Sequence, residues 1–292
     1  MPVLTIEETK ELIPKLDSKA GSFLIKRLFH FTAIDKVNAL YDRNCQFRGA
    51  DFAGALLRDI GVDYQIGNAS RLESLPEGAF ITISNHPYGH IDGIMNIDLF
   101  GHLRQDYKVM VNEILAHIRA MSPNFINVVP KGNENTGPKA ASLSGVRETL
   151  AQLREGHPVG FFPSGAVSDL NLKEHCIRDR QWQEPVLRLI QKARLPIIPI
   201  RFFDRNSMYF YGLGLIDWKV RLLRLCGEVF NKRGKTVRLG IGETITPEKQ
   251  AECKDLDEFG RMLRSSVYDM AMPDNFIHRS EIKLNDHERT AE

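Results

Sequence analysis

The residues best equipped for chemistry lie in Asn85-His86-Pro87-Tyr88-Gly89-His90-Ile91-Asp92-Gly93, where a histidine and an aspartate are separated by five residues. A neutral imidazole can take a proton from an alcohol or an amine. A nearby carboxylate fixes its tautomer and stabilises the imidazolium that forms. His86 is therefore read as a general base and Asp92 as its partner, with Asn85, Tyr88 and Gly89 assigned to substrate binding. His90 is the competing base, or a third member of a metal loop with His86 and Asp92. A catalytic zinc needs further clustered histidines or carboxylates, so no metal is expected. Asp92 can also serve simply as the cap of the helix that follows, a task compatible with orienting a histidine.

A second loop has a similar setting. Pro158 to Pro163 is a short apolar run that ends in Ser164-Gly165-Ala166-Val167-Ser168. Phe162, Pro163, Ser164, Gly165 and Ser168 are read as lining the substrate. The plainer reading makes Ser164 and Ser168 turn residues, while Gly165 points to close approach of backbone and ligand. Ser164 lacks the Gly-x-Ser-x-Gly elbow of a hydrolase nucleophile. Lys131 opens the polar loop Gly132–Pro138 and is either a phosphate contact or a solvated lysine. No Walker pattern occurs, so nucleotide hydrolysis is disfavoured.

These loops need strands to end on and helices to follow. Apolar, β-prone runs near 79–84, 107–112, 125–130, 158–163, 196–202 and 236–242 alternate with helical patterns near 93–104, 113–121, 138–155, 179–194 and 247–271. The alternation predicts an α/β fold with a mixed, largely parallel sheet flanked by helices. His86 and Asp92 then sit on a strand-to-helix loop, where open α/β sheets bind ligands. Residues 1–74 read as a helical N-terminal extension, with helices over 5–16, 19–41 and 51–60. Residues 75–272 read as the α/β domain, and 273–292 as a loose polar tail.

Composition narrows the class. The chain has 292 residues, 42% of them hydrophobic, enough for a substantial core. A net charge of +2 is too mild to imply nucleic acid. Cys45, Cys176, Cys226 and Cys253 form no Cys-x-x-Cys pair, so neither a disulfide frame nor a zinc knuckle is expected. No apolar N-terminal core with a cleavage site and no run of 18 apolar residues is present, which argues against a secreted precursor and a spanning protein.

The order of the blocks resembles the glycerolipid acyltransferase family. Asn85, His86 and Asp92 match its first block, Lys131 its second, Phe162, Pro163, Gly165 and Ser168 its third, and Pro199 its fourth, over roughly residues 75–245. The extra residue between His86 and Asp92 resembles a bacterial branch, aminolipid or haemolysin-like, with His-Pro-x-Gly-x-x-Asp-Gly. Ser164 stands where the family has a glutamate, and Ala166-Val167 replaces its Thr-Arg. The missing arginine fork argues against a glycerol-3-phosphate acceptor.

The resemblance implies transfer of a fatty acyl group from an acyl carrier protein or coenzyme A thioester, with no cofactor beyond that donor. The implied acceptor is the hydroxyl of a single-chain lipid, an amino-acid lipid in preference to a lysophospholipid. Lys131 would then meet a donor phosphate. A hydrolase of acyl esters or thioesters, or an inactive lipid-binding protein, is the alternative. Such an enzyme must reach a membrane, and Phe23–Phe31 and Leu213–Arg233 mix apolar residues with lysines and arginines as interfacial helices do. The competing reading is two core helices with a solvated basic face. A peripheral position on the cytoplasmic face of the cell membrane is expected.

Overall fold

The computed structural model describes residues 3–128 and 139–282. It opens with helices α1 (Ile6–Leu12), α2 (Lys19–Thr32), α3 (Ile34–Asn44) and α4 (Gly49–Ile60). α1 begins in a capping box in which Thr5 and Glu8 serve each other's backbone N–H. Ser18 caps α2 by accepting the Gly21 N–H at 2.9 Å. The single helix expected over 19–41 is broken at Ala33, which adopts φ 61°. Left-handed backbone is usually marked by glycine or asparagine, so the sequence carries no sign of this break.

The remaining elements follow as β1 (Asp63–Gly67), β2 (Ile81–Ser84), α5 (Ile91–Leu103), β3 (Lys108–Asn112), β4 (Phe125–Val128), α6 (Lys139–Arg154) and β5 (Val159–Phe161). After them come β6 (Asp169–Asn171), β7 (Cys176–Arg178), α7 (Glu184–Ala193), β8 (Ile197–Phe202), α8 (Met208–Ile216), α9 (Trp218–Leu223) and α10 (Leu225–Phe230). The chain closes with β9 (Thr236–Ile241), α11 (Pro247–Ala251), α12 (Leu256–Tyr268) and β10 (Phe276–His278). One sheet has the order β10-β1-β9-β8-β2-β5-β3-β4, and β6 and β7 form a separate hairpin. The run from β8 to β4 is parallel. β9 joins β8 antiparallel, and β10 joins β1 antiparallel. The sheet is mixed and mostly parallel, as the alternation of elements predicts.

Two cores cover its faces. Phe52, Leu57, Met95 and Phe100, from α4 and α5, pack on one face with Ile198, Ile200 and Phe202. Ile190, Phe259, Leu263 and Val267, from α7 and α12, pack on the other with Ile81, Ile83 and Phe161. Burying both faces explains why the central strands read as continuous apolar runs.

The departures from expectation have local causes. Residues 113–121 form short 3-10 turns in place of a helix, with Pro123 inside the second turn. The helix expected over 247–271 is divided into α11 and α12. β1 lies within the stretch read as a helical extension; only Tyr64 and Ile66 alternate inward, too short a pattern to register. The stretch after Pro273, expected to be loose, supplies β10, and Arg279 beyond it bonds Asp98 at 2.8 Å. The part of that tail beyond residue 282 lies outside the described residues.

Candidate active site

The chain leaves β2 for β3 on one side and β5 for β8 on the other, with α5 and α7 on opposite faces of the sheet. The connections after β2 and β5 therefore run in opposite directions, which makes the carboxyl ends of these two strands the switch point of the sheet. Past Ser84, Pro87 cannot donate to a ladder and Gly89 turns the chain at φ 80°. A Cβ at Gly89 would lie 2.4 Å from Val167 Cγ2, so the turn requires glycine for space as well as for backbone.

That turn brings Asp92 back to His86. Asp92 Oδ2 lies 2.8 Å from His86 Nδ1. It accepts the N–H groups of Tyr88 at 3.0 Å and Gly89 at 3.2 Å, and Oδ1 accepts that of Gly93 at 3.0 Å. Asp92 is fully buried in the first turn of α5, where the helix dipole favours a carboxylate. The N-cap position is His90, without a side-chain cap bond, so Asp92 faces His86 from inside the first turn and is not the cap of the helix. The oxygen lies off the Nδ1–H direction, so the contact is close without being an aligned hydrogen bond. Catalytic contacts of this kind often straighten when substrate binds.

The charges are tuned by surroundings. Burial alone would lower the His86 pKa, but Asp92 and, behind it, Asp179 outweigh burial and raise it above the ordinary histidine value. Burial alone would raise that of Asp92; His86 and the Tyr88 and Gly89 N–H groups hold it below the usual carboxylate range. His90 precedes α5, its Nδ1 is buried without a partner, and burial against a weaker pull from Asp92 pushes its pKa down to about 4. Of the two histidines, His86 is the one facing a carboxylate. Its Nδ1 turns to Asp92, which leaves Nε2 for a substrate.

The second loop is stitched to the first through Asp179, just past β7. Asp179 Oδ1 accepts the His86 N–H at 3.1 Å and the Ser168 hydroxyl at 2.6 Å, and Oδ2 accepts the Trp182 indole N–H at 3.2 Å. The Ser168 N–H donates to the His86 carbonyl at 3.0 Å. Phe162 lies against the His86 ring, with centroids 4.3 Å apart. Pro163 is buried, and its carbonyl accepts the Gln183 N–H at 2.9 Å. The Ser164 hydroxyl donates to the Ala166 carbonyl at 2.8 Å, which is the turn role. Gly165 has φ 63°, and the group that approaches it is Gln183, whose Nε2 lies 2.0 Å from where a Cβ would be. Asn85 exchanges both amide bonds with the backbone of Phe202, at 2.9 and 2.8 Å, and so clamps β2 to β8. Lys131 lies outside the described residues.

Helices α8 to α10 cover this corner, and no sequence signal placed them there. The Tyr211 hydroxyl donates to the Pro87 carbonyl at 2.7 Å, and Asn206 Nδ2 donates to that of Tyr88 at 3.1 Å. Arg221, read from sequence as a basic surface residue, is only 3% exposed. Its Nη1 meets Asp169 Oδ1 at 2.5 Å and the Ser168 carbonyl at 3.2 Å. A guanidinium thus reaches the loop where Ala166-Val167 replaces Thr-Arg, but it comes from a later helix. Asp179, Tyr211 and Arg221 were missed because the fold, not local spacing, brings them in. Beyond Asp179 a cleft of about 860 Å³ is walled by acids such as Asp169 and Asp257 and by Arg178, Arg261 and Arg264. Among the described residues, no group of three or more histidines, cysteines or carboxylates is arranged to hold a metal.

Comparison with known proteins places these features in context. A family model described as Acyltransferase matches residues 8–272. The chain is similar to the "Lyso-glycine lipid O-acyltransferase" of Bacteroides thetaiotaomicron, 25% identical over 263 residues that cover 87% of this chain and 92% of that one. The protein of the same name from Phocaeicola vulgatus is 25% identical over 269 residues, with 87% and 92% covered. A crystal structure of the 1-acyl-sn-glycerophosphate (LPA) acyltransferase PlsC from Thermotoga maritima is 15% identical, covering 85% of this chain and 93% of that one with a TM-score of 0.45.

Proposed function

Because this chain belongs to the acyltransferase family, we propose that it moves a fatty acyl group from an acyl-carrier-protein or coenzyme A thioester to a hydroxyl of a single-chain lipid. The observation that carries the reading is the pairing of partly exposed His86 with buried Asp92 at the carboxyl end of the central strand. His86 Nε2 takes the hydroxyl proton as the oxygen attacks the thioester carbonyl carbon. The tetrahedral intermediate then expels the thiolate, which receives that proton from His86. Asp92 stabilises the imidazolium in between. No acyl-enzyme is needed, and the Ser164 hydroxyl is engaged in its own turn.

The relatives' names favour an amino-acid lipid carrying one chain as the acceptor. The enzyme would meet it at a membrane surface. Among the described residues no helix is long and apolar enough to cross a bilayer. α2 and α8–α9 instead expose Phe23, Leu24, Phe31, Ile216, Trp218 and Leu223, beside Lys26, Arg27 and Lys219. Arg224, between α9 and α10, joins the two surfaces by donating to the Phe31 carbonyl at 2.8 Å. Apolar side chains in the headgroup boundary with basic ones toward anionic lipid describe a peripheral protein, which we place on the cytoplasmic face.

The test is acyl transfer by the purified chain from acyl-coenzyme A or acyl carrier protein to a lyso-aminolipid, followed by mass spectrometry, with His86→Ala alongside. Diacyl product from the wild type alone supports the proposal. Free fatty acid released with or without acceptor makes the protein a hydrolase, and lipid binding without any product makes it a binding protein.

A further inference from the structure

Beside the catalytic loop, on the side of β8 and β9, lies a cavity of about 400 Å³ that the mechanism above does not use. Its size is within the range of small-ligand sites, roughly 300–1,000 Å³. Tyr88, Asp204, Arg205, Lys232 and Lys235 are among its lining residues. Two of the charges are already balanced. Both oxygens of Asp204 are taken by Arg238, Nε to Oδ2 at 3.1 Å and Nη2 to Oδ1 at 2.6 Å. The buried Lys232 ammonium pairs with Glu228 at 3.1 Å.

Arg205 and Lys235 are exposed, and among the described residues neither side chain has a hydrogen-bond or ion-pair partner. The cavity is therefore left with two unbalanced positive charges. Tyr88 adds a third donor: it is 2% exposed, and its hydroxyl has no hydrogen-bond partner among the described residues. Burial, with Asp204 facing it, raises the Tyr88 pKa, so the hydroxyl remains protonated and can donate.

We propose that this cavity is an anion subsite in which Arg205, Lys235 and the Tyr88 hydroxyl hold a phosphate or a carboxylate carried by one of the two substrates. The phosphate would come from the pantetheine-linked donor and the carboxylate from the acceptor's amino-acid headgroup. Both present the planar or tetrahedral oxygens that a guanidinium and an ammonium bind by charge-assisted hydrogen bonds. The subsite bears on catalysis through Tyr88, whose own N–H is one of the two that hold Asp92 Oδ2. An anion held by the Tyr88 hydroxyl thereby steadies the turn that sets the His86–Asp92 contact. Assignment of the anion to a substrate rests on the transfer reaction proposed above, whereas anion binding itself does not.

Calorimetric titration of the purified full chain separates these points. The probes are inorganic phosphate, coenzyme A against pantetheine, and an N-acylglycine against its methyl ester, each with the wild type, Arg205→Gln/Lys235→Gln and Tyr88→Phe. A thermal melt confirms that each variant is folded, as expected for two exposed, unpartnered side chains and one deleted hydroxyl. The wild type should prefer one charged probe over its uncharged counterpart, and the double variant should weaken that probe by about tenfold or more per charge removed. Tyr88→Phe should weaken it by less. A preference for coenzyme A over pantetheine assigns the donor's phosphates, and one for the acid over its ester assigns the acceptor's carboxylate. Phosphate binding lost in the double variant, with no acyl transfer from the wild type, would keep the subsite and remove the reaction. Equal affinities of wild type and double variant for every anion, or no preference for charged over uncharged probes, would overturn the proposal.

Discussion

At the scale of single residues, the two histidines of one loop offer a direct comparison. His86 faces Asp92 at 2.8 Å, while the His90 Nδ1 is buried without a partner. His86→Ala should lower acyl transfer by about 10²–10⁴-fold, the usual cost of losing a general base, and His90→Ala should retain most of the rate. Steady-state rates of the two variants check this, and a dead His90→Ala beside an active His86→Ala would reassign the base. The pH profile gives a second check. A base must be unprotonated to act, and the His86 pKa is raised, so the rate should fall on the acid side through a value above the ordinary histidine pKa of about 6.5. Asp92→Asn removes the main charge responsible for that rise. It should move the acid limb to lower pH while reducing the plateau rate, a pair of changes that simple unfolding would not give. The pair was legible in the sequence because proline, glycine and aspartate together encode the turn that joins them. The turn role of Ser164 was legible too, but the engagement of Asn85 and Gly165 was not, since their partners Phe202 and Gln183 are set by chain geometry that residue type does not reveal.

Among the elements, α2 and α8–α9 expose large apolar side chains that a helix on a globular protein usually buries. Ile216 is 81% exposed, Phe23 63% and Trp218 53%, whereas Arg221 and Lys232 are buried. The sequence showed the mixture of apolar and basic residues but could not say which set faced out, because α8, α9 and α10 are short and change direction at Asp217 and Arg224. Arg221 therefore leaves the set of lipid-facing cations and joins the scaffold of the Ser168 loop. With the apolar side chains already in solvent, replacing Ile216, Trp218 and Leu223 together by serine should leave the fold intact and release the protein from anionic vesicles. Each buried apolar side chain contributes about 1.5–3 kcal/mol, so cosedimentation should weaken by well over a hundredfold. Circular dichroism and a thermal melt test the fold in parallel. A folded triple variant that still binds vesicles with unchanged affinity would remove this face as the membrane contact.

For the whole molecule, the strand order decides where chemistry sits, and the sequence disclosed only part of it. Apolar runs revealed β2, β3, β4, β5, β8 and β9, and the alternation with helices revealed a mixed sheet, so the strand-end position of His86 followed. The closing edge did not, because β1 and β10 are short and half polar and pair across most of the chain length. Arg279, just after β10, fixes that edge. Its Nε donates to Asp98 Oδ2 at 2.8 Å, and the same oxygen accepts the Tyr64 hydroxyl at 2.5 Å. Asp98 is 4% exposed on α5, the helix whose first turn carries Asp92. The segment after β10 therefore pins the middle of the helix that starts at the active site. Arg279→Met removes the closer of two cationic partners of Asp98, with His102 remaining at 3.4 Å, and should cost about 2 kcal/mol of stability, read as a lower denaturant midpoint. Arg279→Met/Asp98→Asn removes both charges and should recover part of that loss, since the carboxylate that stays buried in the single variant is then neutral. A double-variant loss equal to the sum of the losses of Arg279→Met and Asp98→Asn alone would show that the pair does not couple. The edge would then be held by the β1–β10 ladder and by the contacts of His278 with Asp63 and Gln65.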